Sequence, residues 1–170
     1  MAAAMEALRR FPDLRLLVVE KESRVGLHQS GRNSGVIHTG LYYRPASLKA
    51  TLCVEGAAAM LSFCRDRGIP HKICGKVVVA TRDRDLPALQ ELYRRGIANG
   101  VRDLALVGPE RLAEIEPNCR GLRALHVPGA AIADFGAVTG KYAENVTAAG
   151  GTIRTGAQVT GLARRGGEVI

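Results

Sequence analysis

The sequence predicts a mixed α/β fold, and three of its features support this prediction. Helical and strand-like patterns alternate along the 170 residues, which favours α/β or α+β over an all-α or all-β fold. A continuous apolar run over residues 14–20 has the length of a strand covered on both faces, and it ends in an acid. A glycine-rich polar loop over residues 28–43 follows, with more polar groups than a connection needs. We therefore expect a ligand to lie against the backbone of this loop.

Composition and charge exclude several other classes of protein. With 46% hydrophobic and 24% charged residues, the chain is expected to be globular rather than disordered. No apolar run approaches the roughly 20 residues of a transmembrane helix, and the N-terminus lacks the pattern of a secretory signal. The net charge of +8 would suit nucleic acid, but the cations are scattered and aromatic residues make up only 4%, which argues against it. The four cysteines lack metal-binding spacing, so we predict reduced thiols and no metal site.

The first elements resemble part of a βαβ unit. Residues 1–11 are rich in strong helix formers, and Pro12 ends the predicted helix. The strand at 14–20 follows, so helix and strand would form the second half of a βαβ unit with a right-handed crossover. The ligand of such a unit lies at the carboxyl edge of the sheet.

The remaining elements alternate in the same way. A helix over 45–68 is predicted to end at Gly68. Further helices are predicted over 86–100, 108–117 and 135–151. Strands are predicted over 76–81, over 124–134 together with a turn, and as two short strands within 152–165. The cysteines at 53, 64 and 74 fall on these patterns and are interpreted as small core residues.

Glu20 ends the predicted first strand. In a dinucleotide-binding fold, an acid at this position accepts hydrogen bonds from ribose hydroxyls, although alone it is equally well a solvated carboxylate. The pattern G-x-G-x-x-G should stand about 20 residues upstream, yet the first glycine of the chain is Gly26. We therefore expect the first strand and its phosphate-binding turn to be absent from this sequence.

The glycine-rich loop has the composition of an anion-binding segment. Gly31 and Gly35 would let backbone N–H groups approach a diphosphate without obstruction by a side chain. Hydroxyl, amide and guanidinium groups come from Ser30, Arg32, Asn33 and Ser34. His38 follows a short apolar turn and could face the ligand that the loop encloses. The alternative is a surface loop built of turn residues.

Three motifs resemble a known family. Glu22 with the following GxHQSGRNSGVIHTGLYYRPxSLKA, spread over Glu22 to Ala50, the overlapping SLKATLCVEGA and the later CGKVVVAT closely resemble the D-amino-acid-oxidase-like superfamily of FAD-dependent oxidoreductases. Within it, they are similar to the L-2-hydroxyglutarate dehydrogenase/oxidase group. The segments EPNCRGLRALHVPGAAIADFGAV and AAGGTIRTGAQVTGL are also similar to this group. The resemblance covers nearly the whole chain, as roughly the first two-fifths of such an enzyme without its leading strand.

The resemblance implies a fold and an activity. The fold would be a partial Rossmann-like FAD-binding domain with part of an inserted antiparallel-sheet substrate domain. Residues 1–70 and 136–170 would belong to the FAD-binding part, and residues 71–135 to the substrate-domain part. With FAD as cofactor, the reaction would oxidise L-2-hydroxyglutarate to 2-oxoglutarate by hydride transfer to flavin N5.

Partners and location follow from the same resemblance. The substrate would be a small 2-hydroxy dicarboxylate, and a quinone, an acceptor protein or oxygen would accept the electrons. We expect no nucleic acid partner. The implied location is cytoplasmic, with peripheral contact to the inner membrane left open.

The resemblance also assigns roles to residues. Glu20 would bind the adenosine ribose with Lys21 beside it, and the backbone of Val159 would meet the adenine. His38 would lie near the isoalloxazine and assist removal of the substrate hydroxyl proton. The diphosphate would be contacted by Ser30, Gly31, Arg32, Asn33, Ser34 and Gly35. Arg44 and Lys49 would attract the dicarboxylate.

Three alternatives stay open at this point. A neighbouring flavoprotein that acts on glycerol 3-phosphate or an amino acid would share the loop but not SLKATLCVEGA. A non-catalytic basic binding module would hold no flavin. A truncated product of the same ancestry would have no activity.

Overall fold

The chain forms two compact units in a computed structural model, which describes residues 1–166 and the backbone of 168–169. The first unit combines residues 1–34 with 134–170, and the second consists of residues 35–133. The chain thus leaves the first unit, builds the second and returns. The return at 134 lies close to the predicted boundary at 135/136, whereas the first boundary lies well before 70. The assignment of these parts to cofactor and substrate stays a prediction.

The helices and strands alternate as the sequence predicts. The helices are α1 (Ala2–Arg10), α2 (Leu48–Asp66), α3 (Leu86–Ala98), α4 (Pro109–Ile115) and α5 (Phe135–Ala148), with a short 3-10 turn at Asp83–Asp85. The strands are β1 (Leu17–Val19), β2 (Val36–Ile37), β3 (His71–Ile73), β4 (Lys76–Ala80), β5 (Ala105–Val107), β6 (Arg123–Val127), β7 (Ala131–Ala133), β8 (Thr152–Arg154), β9 (Arg164–Arg165) and β10 (Glu168–Val169). The mixed α/β class is therefore confirmed.

The first unit contains a parallel pair of strands. β1 pairs with β8 in the register Leu17 opposite Thr152 to Val19 opposite Arg154, the arrangement that a βαβ connection requires. Helix α1 packs against α5, where Leu8 is buried. Strand β1 is shorter than predicted and is not covered on both faces, because Leu17 and Val19 are 59% and 41% exposed. Among the described residues β8 is its single strand neighbour.

Local capping decides where two of the helices begin. Helix α2 starts at residue 48 rather than 45 because the Ser47 hydroxyl oxygen accepts a hydrogen bond from the N–H of Ala50 (3.3 Å), as an N-cap does. It ends as predicted near Gly68, whose φ is +63°. In α5 the Asp134 carboxylate accepts from the N–H of Ala137 (3.0 Å) in the same way.

The second unit contains two antiparallel sheets. Their strand orders are β2–β7–β3 and β4–β6–β5, and helix α3 packs against β4 and β6. The buried core of this unit consists of Leu41, Ala80, Leu89, Val101, Leu125, Val127 and Ala130. The unit therefore has an apolar core of its own.

Several short strands differ from the predictions. Strands β2, β3 and β5 were not predicted, and residues 124–134 hold two strands, β6 and β7, rather than one. Residues 157–163 form no strand, although the sequence predicted one that contained Val159. A strand needs a partner for its backbone N–H and C=O groups, and within the described residues no strand pairs with this segment.

The cysteines are free thiols in different surroundings. Cys64 is buried and Cys53 is half-buried, but Cys74 is exposed. The prediction that all three are core residues is therefore wrong for Cys74, because every residue of β3 just before it is exposed too.

Candidate functional site

Glu20 lies at the carboxyl end of β1, where the sequence places it. Its N–H donates to the carbonyl of Arg154 (2.9 Å), and its carbonyl accepts from the N–H of Ala157 (2.9 Å). These bonds extend the contact between β1 and the chain after β8. The side chain is half-buried, and one carboxylate oxygen accepts from the N–H of Glu22 (3.0 Å). Glu20 is thus held at the sheet edge, where a parallel sheet binds its ligand.

Lys21 is engaged by Glu22, a residue of the family motif to which the sequence analysis assigned no role. Its ammonium pairs with the carboxylate of Glu22, which also bonds Nε2 of His28 (2.9 Å). The hydrogen bond from Lys21, and to a smaller extent that from His28, holds the pKa of Glu22 below its usual value. This cluster ties His28, the first residue of the loop, to the chain just after β1.

Glycines give the loop its shape. A Cβ on Gly31 would collide with the carbonyl oxygen of Gly26, so the two backbone segments approach too closely for any side chain there. Gly26 has φ +79° and lies against Thr139 of α5, a conformation that favours glycine. The approach at Gly31 is that of the Gly26 carbonyl, and the predicted approach of a diphosphate to Gly31 stays a prediction.

The loop and the start of α5 enclose a cavity of about 470 Å³ within the first unit. It is lined by Arg24, Val25, Gly26, Leu27, Gly31, Arg32, Asp134, Gly136 and Ala137. Two guanidinium groups and the N-terminus of a 14-residue helix give this cavity a positive character. Its one acid, Asp134, is occupied in capping α5. The chemistry of the cavity suits an anionic group.

The other predicted residues of the loop lie at its surface. Ser30, Arg32 and Ser34 are exposed. The side-chain amide of Asn33 donates to the carbonyls of Gln29 and Ser30 (2.9 Å each), so this nitrogen braces the loop. The roles of these residues toward a diphosphate stay predictions.

Val159 is far from these loop residues in the sequence, and it belongs to no strand. Its side chain is 57% exposed. The expected contact of its backbone with adenine stays a prediction, without the strand that was expected to carry it.

The second unit contains the remaining predicted residues. Gly35 (φ +71°) accepts from the N–H of Ala133 (2.8 Å) through its carbonyl, just before β2. His38 follows β2 and is exposed, as are Arg44 and Lys49 near the start of α2. The roles of these three side chains stay predictions.

A polar group beside His38 was missed by the sequence analysis. The thiol of Cys53 donates to the carbonyl of His38 (3.3 Å), and the ammonium of Lys76 lies 4.4 Å from the centre of the Tyr42 ring. Burial lowers the pKa of Lys76 and raises the pKa of the Cys53 thiol. Only packing brings together residues this far apart in sequence.

Asn99 holds the segment after His38 in place. Its side-chain amide donates to the carbonyls of Gly40 and Tyr43 (2.9 Å each). The loop that contains the predicted catalytic histidine is therefore attached to the end of α3.

The described residues contain neither a metal-binding cluster nor a membrane-spanning helix. No group of three or more His, Cys, Asp or Glu side chains in that part of the chain is arranged to hold a metal ion. No helix in the same part is long and apolar enough to cross a membrane.

Curated relatives share much of the sequence. "L-2-hydroxyglutarate dehydrogenase, mitochondrial" from Nematostella vectensis is 46% identical over 160 residues, which is 94% of this chain and 35% of the relative. The protein of the same name from Homo sapiens is 44% identical over 95% of this chain and 35% of its own length. "L-2-hydroxyglutarate dehydrogenase" from Indibacter alkaliphilus is 42% identical over 94% of this chain and 40% of its own. The chain therefore spans little more than a third of these relatives.

Solved structures share the fold. L-alpha-glycerophosphate oxidase from Mycoplasma pneumoniae with FAD bound superposes with a TM-score of 0.90 at 26% identity, over 97% of this chain and 44% of that one. Glycine oxidase from Geobacillus kaustophilus superposes with a TM-score of 0.81 at 18% identity, over 95% of this chain and 45% of that one. At this low identity the second likeness concerns the fold alone.

A family model described as "FAD dependent oxidoreductase" matches residues 1–170. The sequence motifs, the parallel βαβ-type pair and the glycine-shaped loop agree with that match. The chain therefore belongs to the FAD-dependent oxidoreductase family, whose cofactor is FAD.

Proposed function

We propose that this chain forms part of an enzyme that oxidises L-2-hydroxyglutarate to 2-oxoglutarate with FAD. The observation that carries the proposal is the identity of 42–46%, over 94–95% of this chain, to relatives named L-2-hydroxyglutarate dehydrogenase. In this reaction C2 of the substrate loses a hydride and its hydroxyl group loses a proton. Because the chain spans 35–40% of those relatives, the activity concerns the whole protein.

The residues of the first unit fit FAD. Arg24 and Arg32, with the N-terminus of α5, offer positive charge to a diphosphate. Gly31 lines the cavity and has no side chain, so the backbone is accessible at this position. The half-buried carboxylate of Glu20 can accept hydrogen bonds from ribose hydroxyls. Bound FAD would supply the hydride acceptor at flavin N5.

His38 is the proposed acceptor of the substrate hydroxyl proton. It follows β2 directly, its carbonyl is bonded by Cys53, and Asn99 holds the loop two residues further on. A base needs such a fixed backbone so that the imidazole can reach its proton. The side chain itself is exposed, so a substrate can reach it.

One observation favours a second candidate. The likeness to L-alpha-glycerophosphate oxidase, with a TM-score of 0.90 at 26% identity, makes glycerol 3-phosphate an alternative substrate. Both substrates are anionic secondary alcohols, so the same loop could serve either one. The electron acceptor, a quinone, a protein or oxygen, and the cytoplasmic location belong to the proposal in either case.

The experiment is a flavin titration of the whole enzyme that contains this chain, because the chain spans 35–40% of its relatives. FAD is added and the sample is dialysed, and the visible flavin spectrum is recorded without oxygen before and after each substrate. We expect retained flavin that is bleached by L-2-hydroxyglutarate and not by glycerol 3-phosphate. Bleaching by glycerol 3-phosphate alone would select the second candidate, and a whole enzyme that retains no flavin would contradict the proposal.

A matched pair of histidine variants tests the proton acceptor. For His38→Gln we expect bleaching by L-2-hydroxyglutarate to slow by about 10²–10⁴-fold, the usual contribution of a positioned base, with flavin retention unchanged. His71→Gln is the control, because His71 is also exposed in the second unit but bonds the carbonyl of Ile69 (2.8 Å). Equal bleaching rates in both variants would remove His38 from this role.

A further inference from the structure

Lys76 differs from the other half-buried cations of the chain. Among the described residues three Lys or Arg side chains are half-buried: Lys76, Arg95 and Lys141. Arg95 pairs with Glu91 (3.0 Å) and Lys141 pairs with Glu144 (2.7 Å). No acid of the described residues pairs with Lys76.

The surroundings of Lys76 attract a cation only weakly. Its ammonium lies 4.4 Å from the centre of the Tyr42 ring, a cation–π contact that is weak at a partly exposed site. Cys53 lies close by, but burial raises the pKa of its thiol, so it is neutral at physiological pH and provides no counter-ion. Burial also lowers the pKa of Lys76. The ammonium is thus partly desolvated and lacks the anion that would offset this loss.

The position of Lys76 relates it to the proposed reaction. Its ammonium faces the ring of Tyr42, 4.4 Å from the ring centre, and Tyr42 is in the same HTGLYY segment as His38, the proposed proton acceptor. Asn99 holds this segment through the carbonyls of Gly40 and Tyr43. The cation therefore lies beside the turn that follows the histidine.

We propose that the ammonium of Lys76 binds a carboxylate of the dicarboxylate substrate, an inference that rests on the proposed function. Lys76, rather than Arg44 or Lys49, is then the residue that positions the substrate. Arg44 and Lys49 are exposed, and an ion pair in water contributes little. An ion pair between the substrate carboxylate and Lys76 would form where water is already partly excluded. Its charge-assisted hydrogen bond would therefore be stronger than one made by the exposed Arg44 or Lys49.

Binding of glutarate, which lacks the hydroxyl group and cannot be oxidised, tests the inference without turnover. Calorimetry on the FAD-loaded whole enzyme compares the native protein with Lys76→Met and with Lys76→Arg. The control is Lys72→Met, an exposed lysine of β3 in the same unit. We expect the Lys76→Met dissociation constant to rise roughly 10–100-fold, the equivalent of one charged hydrogen bond. The Lys76→Arg and Lys72→Met values should stay close to the native one.

Unchanged glutarate affinity in Lys76→Met would overturn the inference, as would a native whole enzyme that does not bind glutarate. Circular dichroism identifies a Lys76→Met protein that is unfolded, in which case the arginine variant and a Tyr42→Leu variant decide. A lower glutarate affinity in Tyr42→Leu, together with native glutarate affinity in Lys76→Arg, supports the site. Native glutarate affinity in Tyr42→Leu, together with lost glutarate affinity in Lys76→Arg, opposes it.

The flavin titration separates this inference from the proposed function. If L-2-hydroxyglutarate bleaches the flavin while Lys76→Met binds glutarate normally, the proposed function stands and the role of Lys76 falls. If the flavin is not bleached while glutarate binding depends on Lys76, the proposed reaction falls and the carboxylate site stands.

Discussion

The two units of this chain are held together in different ways. The unit of residues 35–133 encloses an apolar core in which Leu125 and Val127 are fully buried. In the other unit, strand β1 leaves Leu17 and Val19 exposed, and Leu162 is 79% exposed. Its loop is held by turns, a salt-bridged cluster and glycine geometry rather than by a core. In the first unit the buried apolar residues include Leu8 of α1 and Val138 and Val146 of α5, whereas local backbone geometry shapes the segment that follows β1.

This difference has a consequence for binding. A segment with few buried apolar contacts opens at low free energy, and a ligand that binds its folded form stabilises it. The cavity beside Gly31 is such a place, because its walls come from the loop and the start of α5. We expect added FAD to stabilise the first unit more than the second.

The largest expected effect comes from deleting core volume in the second unit. Leu125→Ala removes a side chain with 0% exposure and should lower the free energy of unfolding by about 2–5 kcal/mol. The matched change Leu17→Ala in β1, at 59% exposure, should lower it by less than about 1 kcal/mol. Urea unfolding followed by circular dichroism measures both values, and equal losses would mean that the first unit has as firm a core as the second.

The next effect concerns the loop itself. In Gly31→Ala the new methyl group meets the carbonyl oxygen of Gly26, so the loop must shift. Because a strained backbone costs on the order of 1–3 kcal/mol, flavin retention after dialysis should fall by at least about tenfold. Gly140→Ala is the control within the same unit, because no atom lies within 4 Å of its added Cβ and alanine favours a helix. Full flavin retention in Gly31→Ala would show that the close approach is not needed.

The smallest effect is a change in protonation. His28→Asn removes one of the two hydrogen bonds that lower the pKa of Glu22, so this pKa should rise toward its usual value. A carboxyl whose pKa is depressed in the folded protein stabilises it above the pKa of the unfolded chain, and this contribution is lost as the pH falls through the folded value. Carbon-13 NMR titration of the Glu22 carboxyl measures the shift. An unchanged midpoint would mean that Lys21 alone accounts for the lowering.

Helices were predictable because their signals are local. Gly68 ends α2, and Pro12 lies just after α1, in agreement with the sequence analysis. The start of α2 was placed too early because Ser47, not Pro45, caps it. Short strands were less predictable: β2 has two residues, and it exists because β7 is beside it.

The sequence by itself determined the family and the chemistry of the loop, because glycines, charged groups and an acid after an apolar run act through the backbone near them. The tertiary structure alone decided that Leu17 and Val19 of β1 are exposed and that Val159 lies outside any strand. It also decided that, among the described residues, Lys76 lies over the Tyr42 ring without an acid partner. Each of these facts depends on which distant segment packs beside a residue. Burial, strand pairing and desolvation are properties of such neighbours, and no local pattern records them.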